Sequence, residues 1–307
     1  MREEQIKYLC CPRYHDELVL KKVIRKDNGE IDSGVLVSTN GIEYSIDHGI
    51  PNLIPFDSNV TDSGQNKELY KRLSVPYDVI LQSKGIDSLT IAQMDALRFS
   101  IFSKTKEFCN KYLSGIVLEI GAGKDYLREE FNGLYKEWIS LDYDLRSETI
   151  DLRGDGQFLP FRDGIFNTIV SIDVLEHVPD PEKFVSEIYR VTQPNGLIIL
   201  STPFFFWHHE EPYDFFRFSK YGIRKIFERN NFEVIDVIPT AGVVSTLGFL
   251  FSVLITKLFQ FSKILLRFFL RVNKIIQLKL LLPIDKKFDK KNKFAQGHFI
   301  IAKRLAK

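Results

Sequence analysis

Val117-Leu118-Glu119-Ile120-Gly121-Ala122-Gly123 is the stretch on which the reading of this chain turns. An apolar run ends in an acid and two glycines, and a polar, helix-compatible stretch succeeds it at 124–131. A buried parallel strand that delivers a nucleotide-like ligand to a helix N-terminus has this layout. Glycine has no Cβ, so the backbone there can approach a ligand closely. Glu119 offers carboxylate oxygens to a cationic or hydroxylated group. Alone, Glu-x-Gly-x-Gly is a weak signal, because such a turn also serves purely structural ends.

Its weight comes from the residues downstream. Trp138-Ile139-Ser140-Leu141-Asp142 is a second short apolar strand ending in a carboxylate. An acid about 20 residues beyond the glycines commonly holds the hydroxyls of a ribose. Asp155 and Gly156 stand in Gly154-Asp155-Gly156-Gln157-Phe158-Leu159-Pro160-Phe161, where an adenine amino group could be read. Phe166 to Ile172 has the character of a fourth buried strand and ends at Asp173. Val174-Leu175-Glu176-His177-Val178 then leads into a helix through Arg190, and Asn195-Gly196 turns into a fifth strand at 197–201. Strands alternating with helices in this way predict an α/β fold with a doubly wound, mostly parallel sheet.

As an ordered set these residues resemble a class I S-adenosylmethionine-dependent methyltransferase, type 11-like, with its LPF and LEHV segments. The resemblance covers roughly residues 90–240 and the last strand near 297–303. It implies a Rossmann-like sheet and S-adenosyl-L-methionine as cofactor. Glu119, Gly121 and Gly123 would cradle the methionine part, Asp142 would bind the ribose, and Asp155 with Gly156 would flank the adenine. Asp173 would lie at the mouth near the sulfonium, and His177 matches a family position beside the cofactor. The chain departs from the pattern at Asp125, where the family often has a third glycine.

A chain of 307 residues with 44% hydrophobic content has room for one large domain with appendages. Its net charge of +2 hides an asymmetry. Residues 257–307 hold 14 Lys or Arg against two acids, a charge of +12, whereas residues 1–256 hold 28 basic and 38 acidic residues, a charge of −10. A basic segment of this kind suits an anionic partner. Three cysteines, Cys10, Cys11 and Cys109, make no disulfide framework. They point to a reducing cytoplasm, as does an N-terminus without an apolar signal region.

Residues 1–56 read as a separate β-rich module that resembles the zinc-ribbon-like unit of several methyltransferases, in degenerate form. The two Cys-x-x-Cys pairs of that unit appear here as Cys11-Pro12-Arg13-Tyr14 and Val37-Ser38-Thr39-Asn40, so only Cys11 remains. Structural zinc needs about four ligands. The expectation is a metal-free ribbon held by Leu9, Val35, Tyr44, Ile46, Ile50 and Leu53. Residues 57–88 read as a linker and a variable helix, and 88–113 as an amphipathic helix. The methyltransferase domain is expected at 89–240 plus 294–307.

Phe204 to Ser219 comes after the fifth strand and mixes aromatics with titratable groups, which suits an acceptor pocket. It resembles a segment, His-x-x-Pro-x-Asp-x-x-Arg, of one methyltransferase branch, matched by His209, Asp214 and Arg217. His209 could take a proton from a hydroxyl acceptor. The alternative is that Asp214 and Arg217 simply pair to fix the loop. Residues 241–293 read as a helical insertion before the last strand. Within it Lys257, Lys263, Arg267, Arg271 and Lys274 fall on one face of a single helical pattern, opposite Phe and Leu. Such a segment either lies on an anionic membrane surface, giving a peripheral seat on the inner membrane face, or packs over the acceptor pocket.

The sequence thus favours a methyltransferase acting on a small-molecule or lipid-linked acceptor. A non-catalytic cofactor-binding scaffold and a nucleic-acid methyltransferase remain open, the latter disfavoured by the Phe and Leu content of the basic segment.

Overall fold

The computed structural model describes residues 1–55, 101–123, 126–144, 149–206, 208–259, 261–288 and 294–306. The linker at 57–88, the first turns of the helix expected from 88, and Asp125 lie outside these residues.

Four strands, β1 (Leu18–Asp27), β2 (Glu30–Ser38), β3 (Glu43–Asp47) and β4 (Ile50–Pro51), form an antiparallel sheet in sequential order. Leu9, Tyr44, Ile46, Ile50 and Leu53 are buried as expected, but Val35 is only half-buried. Ile31, Gly34, Leu36 and Ser38 point inward on β2, so the strand's alternation buries Leu36 in place of Val35. Cys11 is buried with its Sγ 3.1 Å from the Tyr44 hydroxyl. The Val37–Asn40 segment is closed by the Asp16 carboxylate, which accepts from the Thr39 hydroxyl and from the Asn40 amide at 3.0 Å. This small sheet shares its core with the main one. The Leu53 amide donates to the Arg153 carbonyl at 2.8 Å, and the Cys10 amide to that of Pro160 at 3.0 Å.

The main sheet has seven strands: β5 (Ile116–Ile120), β6 (Glu137–Asp142), β7 (Leu152–Arg153), β8 (Phe166–Ile172), β9 (Thr192–Pro203), β10 (Phe232–Pro239) and β11 (Gly297–Arg304). Their order is β10-β11-β9-β8-β5-β6-β7, parallel from β9 to β7, with β11 antiparallel to both of its neighbours. The strand order reverses beside β5, which pairs with both β6 and β8. Both faces are apolar because both are covered. Leu118, Ile120, Ile139 and Leu141 face one layer, while Val117, Trp138, Val170 and Ile199 face the other.

Helices cover the two faces for legible reasons. α1 (Tyr126–Glu130) comes after the glycine turn, and its Leu127 packs with Phe108 from the helical residues 101–112. α2 (Pro181–Val191) starts with Pro181 in the first turn, and its Asp180 cap accepts from the Lys183 amide at 3.0 Å. Phe184, Val185, Ile188 and Val191 recur at helical spacing and are fully buried. α3 (Lys220–Arg229) is capped by Ser219 and buries Ile223 and Phe227.

Between β10 and β11 stand α4 (Val243–Phe259), α5 (Lys263–Ile276) and α6 (Leu282–Phe288), the helical insertion expected from the sequence. The expected single pattern through Lys257 and Lys274 is interrupted, because the chain turns after Phe259 and α4 and α5 pack as a hairpin. The Ser262 amide bonds the Phe259 carbonyl at 3.0 Å, and the Phe259 and Phe269 rings stack at 4.4 Å. Lys257 therefore sits on a different helix from Arg271. A polar seam joins the hairpin: Gln277 Nε2 donates to the Gly248 carbonyl at 3.0 Å and to the Ser252 hydroxyl at 2.9 Å. Buried Asp285 of α6 caps α4 by accepting from the Val244 and Ser245 amides, each at 2.8 Å.

Candidate active site

The expected cofactor residues gather at the carboxyl ends of β5, β6 and β8, where the strand order reverses. Open parallel sheets place ligands at such a point. Gly121 and Gly123 adopt φ of +75° and +56°. At Gly121 a Cβ would come within 2.3 Å of the Val174 side chain, so only glycine fits the turn against the loop after β8. At Gly123 a Cβ would meet nothing within 4 Å, so this glycine keeps the backbone open on its outer side. Asp142 ties the two strand ends together. One carboxylate oxygen accepts from the Gly123 amide at 2.8 Å and the other from the Asp144 amide at 2.8 Å.

Glu119 is buried on β5, where it accepts from the Trp138 indole at 3.1 Å. Asp155 is half-buried and accepts from the Gln157 amide at 2.8 Å. Burial pushes its carboxyl above the usual range, partly offset by the Gln157 hydrogen bonds. Gly156 is required by packing: a Cβ there would lie 2.3 Å from the Phe184 ring. Asp173 ends β8 in the left-handed region, φ +53°, and accepts from the Ser201 hydroxyl at 2.7 Å. An open glycine at 123, the Asp142 and Asp155 carboxylates after their strands and a position at the sheet's switch point fit S-adenosyl-L-methionine.

The residues expected on the acceptor side lie beside the LEHV loop. Asp214 is buried and is clasped by Arg217 through two hydrogen bonds, one of 2.6 Å. It also accepts from the His209 amide at 2.9 Å. Burial alone would raise its pKa, but these hydrogen bonds prevail and hold it at about 2. His209 Nδ1 lies 3.3 Å from Asp214 Oδ2. Burial and the neighbouring His177 lower the His209 pKa, so its imidazole is neutral at neutral pH. The expected pairing of Asp214 with Arg217 is present, and the same carboxylate also faces His209.

Glu176 stands in the sequence only as one letter of the LEHV motif, yet the fold brings it to the centre. It lies in a 3-10 turn, Leu175–His177, and its carbonyl accepts from the Phe215 and Phe216 amides at 2.9 and 3.2 Å. The turn is thereby docked onto the 204–219 loop. His177 Nδ1–H donates to the Tyr213 carbonyl at 2.7 Å, and the His177 and His209 rings meet edge to face at 4.6 Å. Phe206 packs on His209 at 5.0 Å and stacks on Phe249 of α4 at 5.9 Å, so the insertion reaches the 204–219 loop.

A family model described as "Methyltransferase domain" matches residues 94–237. A Mycolicibacterium smegmatis protein named "Probable S-adenosylmethionine-dependent methyltransferase" is 35% identical over 96 residues, covering 28% of this chain and 37% of the relative. The norajmaline N-methyltransferase of Rauvolfia serpentina is 43% identical over 47 residues, 15% of this chain and 16% of that protein. Haemonchus contortus phosphoethanolamine N-methyltransferase 2, solved with S-adenosylhomocysteine, is similar over 76% of this chain and 61% of its own, at 12% identity and a TM-score of 0.46. The chain thus spans little more than a third, 37%, of the M. smegmatis relative. Residues 94–237, just under half of the chain, thus resemble a methyltransferase domain.

Proposed function

We propose that this protein transfers a methyl group from S-adenosyl-L-methionine to a small-molecule acceptor bound between the cofactor cleft and the 204–219 loop. The observation that carries this reading is the juxtaposition of the Gly121–Gly123 turn with the LEHV loop, through Gly121 against Val174. It supports one continuous site in which cofactor and acceptor residues meet.

The cofactor supplies an activated methyl group, so the protein's part is alignment and exclusion of water. Gly121 lets the turn close against Val174, Gly123 leaves the backbone open, Asp142 accepts hydrogen bonds from hydroxyls, and Asp155 with Gly156 bounds the base. On the other side Phe206 and Phe249 make an apolar wall. His209, neutral and backed by Asp214, can accept a proton from a hydroxyl acceptor; Arg217 keeps Asp214 ionised. His209→Ala is expected to lower methyl transfer by about 100-fold or more while leaving S-adenosylhomocysteine affinity unchanged. Full turnover in that variant would remove His209 from the chemistry.

A second reading concerns where the acceptor is met. Among the described residues no helix is long and apolar enough to cross a membrane. The α4–α5 hairpin nevertheless exposes Phe251, Leu258, Phe261, Ile264, Phe268 and Ile275. Apolar surface of that extent marks an interaction site, and the basic charge of residues 257–307 suits an anionic lipid surface. This reading has the protein cytoplasmic and peripheral on the inner membrane face, with a lipid-linked acceptor within reach. Full-length protein should sediment with phosphatidylglycerol vesicles, and Ile264→Glu with Phe268→Glu should abolish this. Equal sedimentation of the variant would sink the membrane reading.

A further inference from the structure

Glu176, His177 and His209 share one feature that methyl transfer to a simple acceptor does not require. The Glu176 side chain is wholly buried, and neither of its carboxylate oxygens accepts a hydrogen bond from another described residue. Instead Oε1 faces two imidazoles: His177 Nε2 lies 3.6 Å away and His209 Nε2 lies 3.8 Å away. One ligand-type atom from each of the three residues lies within 4.8 Å of the other two.

The tautomers are set by the outer partners. His177 uses Nδ1–H on the Tyr213 carbonyl, so in the neutral ring Nε2 carries a lone pair. His209 turns Nδ1 to the Asp214 carboxylate, which favours a proton there and a lone pair on Nε2. Three acceptor atoms therefore converge in a buried space with no described donor between them. An arrangement of that kind is costly unless something positive sits at its centre. The spacings exceed hydrogen-bond length and approach the roughly 3.4 Å separation of ligands bound at about 2.1 Å to a tetrahedral ion. The far nitrogen of His177 is hydrogen-bonded to a carbonyl, which is how proteins orient imidazole ligands, and that of His209 lies 3.3 Å from the Asp214 carboxylate without a hydrogen bond.

We propose that Glu176, His177 and His209 hold a divalent first-row transition ion beside the cofactor cleft. Two imidazoles and one carboxylate suit Zn²⁺, Mn²⁺, Fe²⁺ or Co²⁺ and not Ca²⁺ or Mg²⁺, which prefer all-oxygen sites. Three protein ligands leave positions open to water or to an oxygen of the acceptor. Ligation and proton acceptance both use His209 Nε2, so a bound ion makes His209 a ligand. The ion, in place of the imidazole, would then make an acceptor oxygen more acidic, its proton leaving to solvent. That last consequence rests on the methyltransferase reading, whereas ion binding itself does not.

The test uses full-length protein stripped with chelator. Mn²⁺ and Zn²⁺ are titrated calorimetrically, and Co²⁺ is followed by its visible absorption. One ion per chain is expected, with a Co²⁺ spectrum showing nitrogen and oxygen ligation. Glu176→Gln and His177→Ala should each weaken uptake by about 10–100-fold, with circular dichroism confirming the fold. A folded wild-type protein that takes up no stoichiometric ion would overturn the proposal, as would variants that bind as well as wild type. In either case a proton on Glu176 explains the cluster. S-adenosylhomocysteine binding is measured on the same samples. Cofactor binding without ion uptake sinks this proposal alone, and ion uptake without cofactor binding sinks the methyltransferase reading alone.

Discussion

A chain ending at residue 290 is expected to lose cooperative folding altogether. The last strand is not an appendage: β11 lies between β9 and β10 and pairs along its length with both, from Gly297 opposite Pro203 to Arg304 opposite Phe232. Phe299, Ile300, Ile301 and Ala302 are fully buried, on alternating faces of the sheet. Removing the three large side chains alone forfeits roughly 5–9 kcal/mol at about 1.5–3 kcal/mol each. A typical domain is stable by only about 5–15 kcal/mol. Truncation also exposes the paired edges of β9 and β10, which invites aggregation. The helical insertion fares no better, since it is the connection between β10 and β11. Urea unfolding followed by circular dichroism checks this. A steep sigmoidal transition in a soluble 1–290 chain would show that β11 is dispensable.

Much of the fold is legible in the sequence because buried parallel strands are apolar on both faces, and such runs stand out at Val117–Ile120, Phe166–Ile172 and Leu197–Leu200. The glycine turn and the acids at strand ends are legible for the same reason: they sit at fixed offsets from those runs. What stays hidden depends on contacts distant in sequence. His209 lies 32 residues beyond His177, so nothing local announces that both rings face Glu176. The glutamate in Leu175-Glu176-His177-Val178 is the available signal, since an acid inside an apolar, helix-leading segment needs a reason to be there. The inward phase of β2 is ambiguous at Val35 because an apolar pair, Val35 and Leu36, fits either register. The break after Phe259 is masked because apolar residues continue across it, and the seam made by Gly248, Ser252 and Gln277 has no sequence period.

The other large effect is expected at Asp142. Its carboxylate closes the glycine turn through Gly123 and stands at the end of β6, one strand from the cofactor turn. An acid so placed accepts the two hydroxyls of a ribose. Hydrogen bonds to a charged acceptor contribute about 1.5–3 kcal/mol each. Asp142→Ala removes two such bonds and also frees the Gly123 amide, so affinity should fall by about 100-fold or more. Asp142→Asn keeps an acceptor for Gly123 and should lose less. Calorimetric titration of S-adenosyl-L-methionine into wild-type protein and into Asp142→Ala tests whether this cofactor binds at the glycine turn. One-to-one binding to the wild type, lost in the folded variant, is the expected result. A folded wild-type protein that binds neither this cofactor nor its demethylated product would contradict the account.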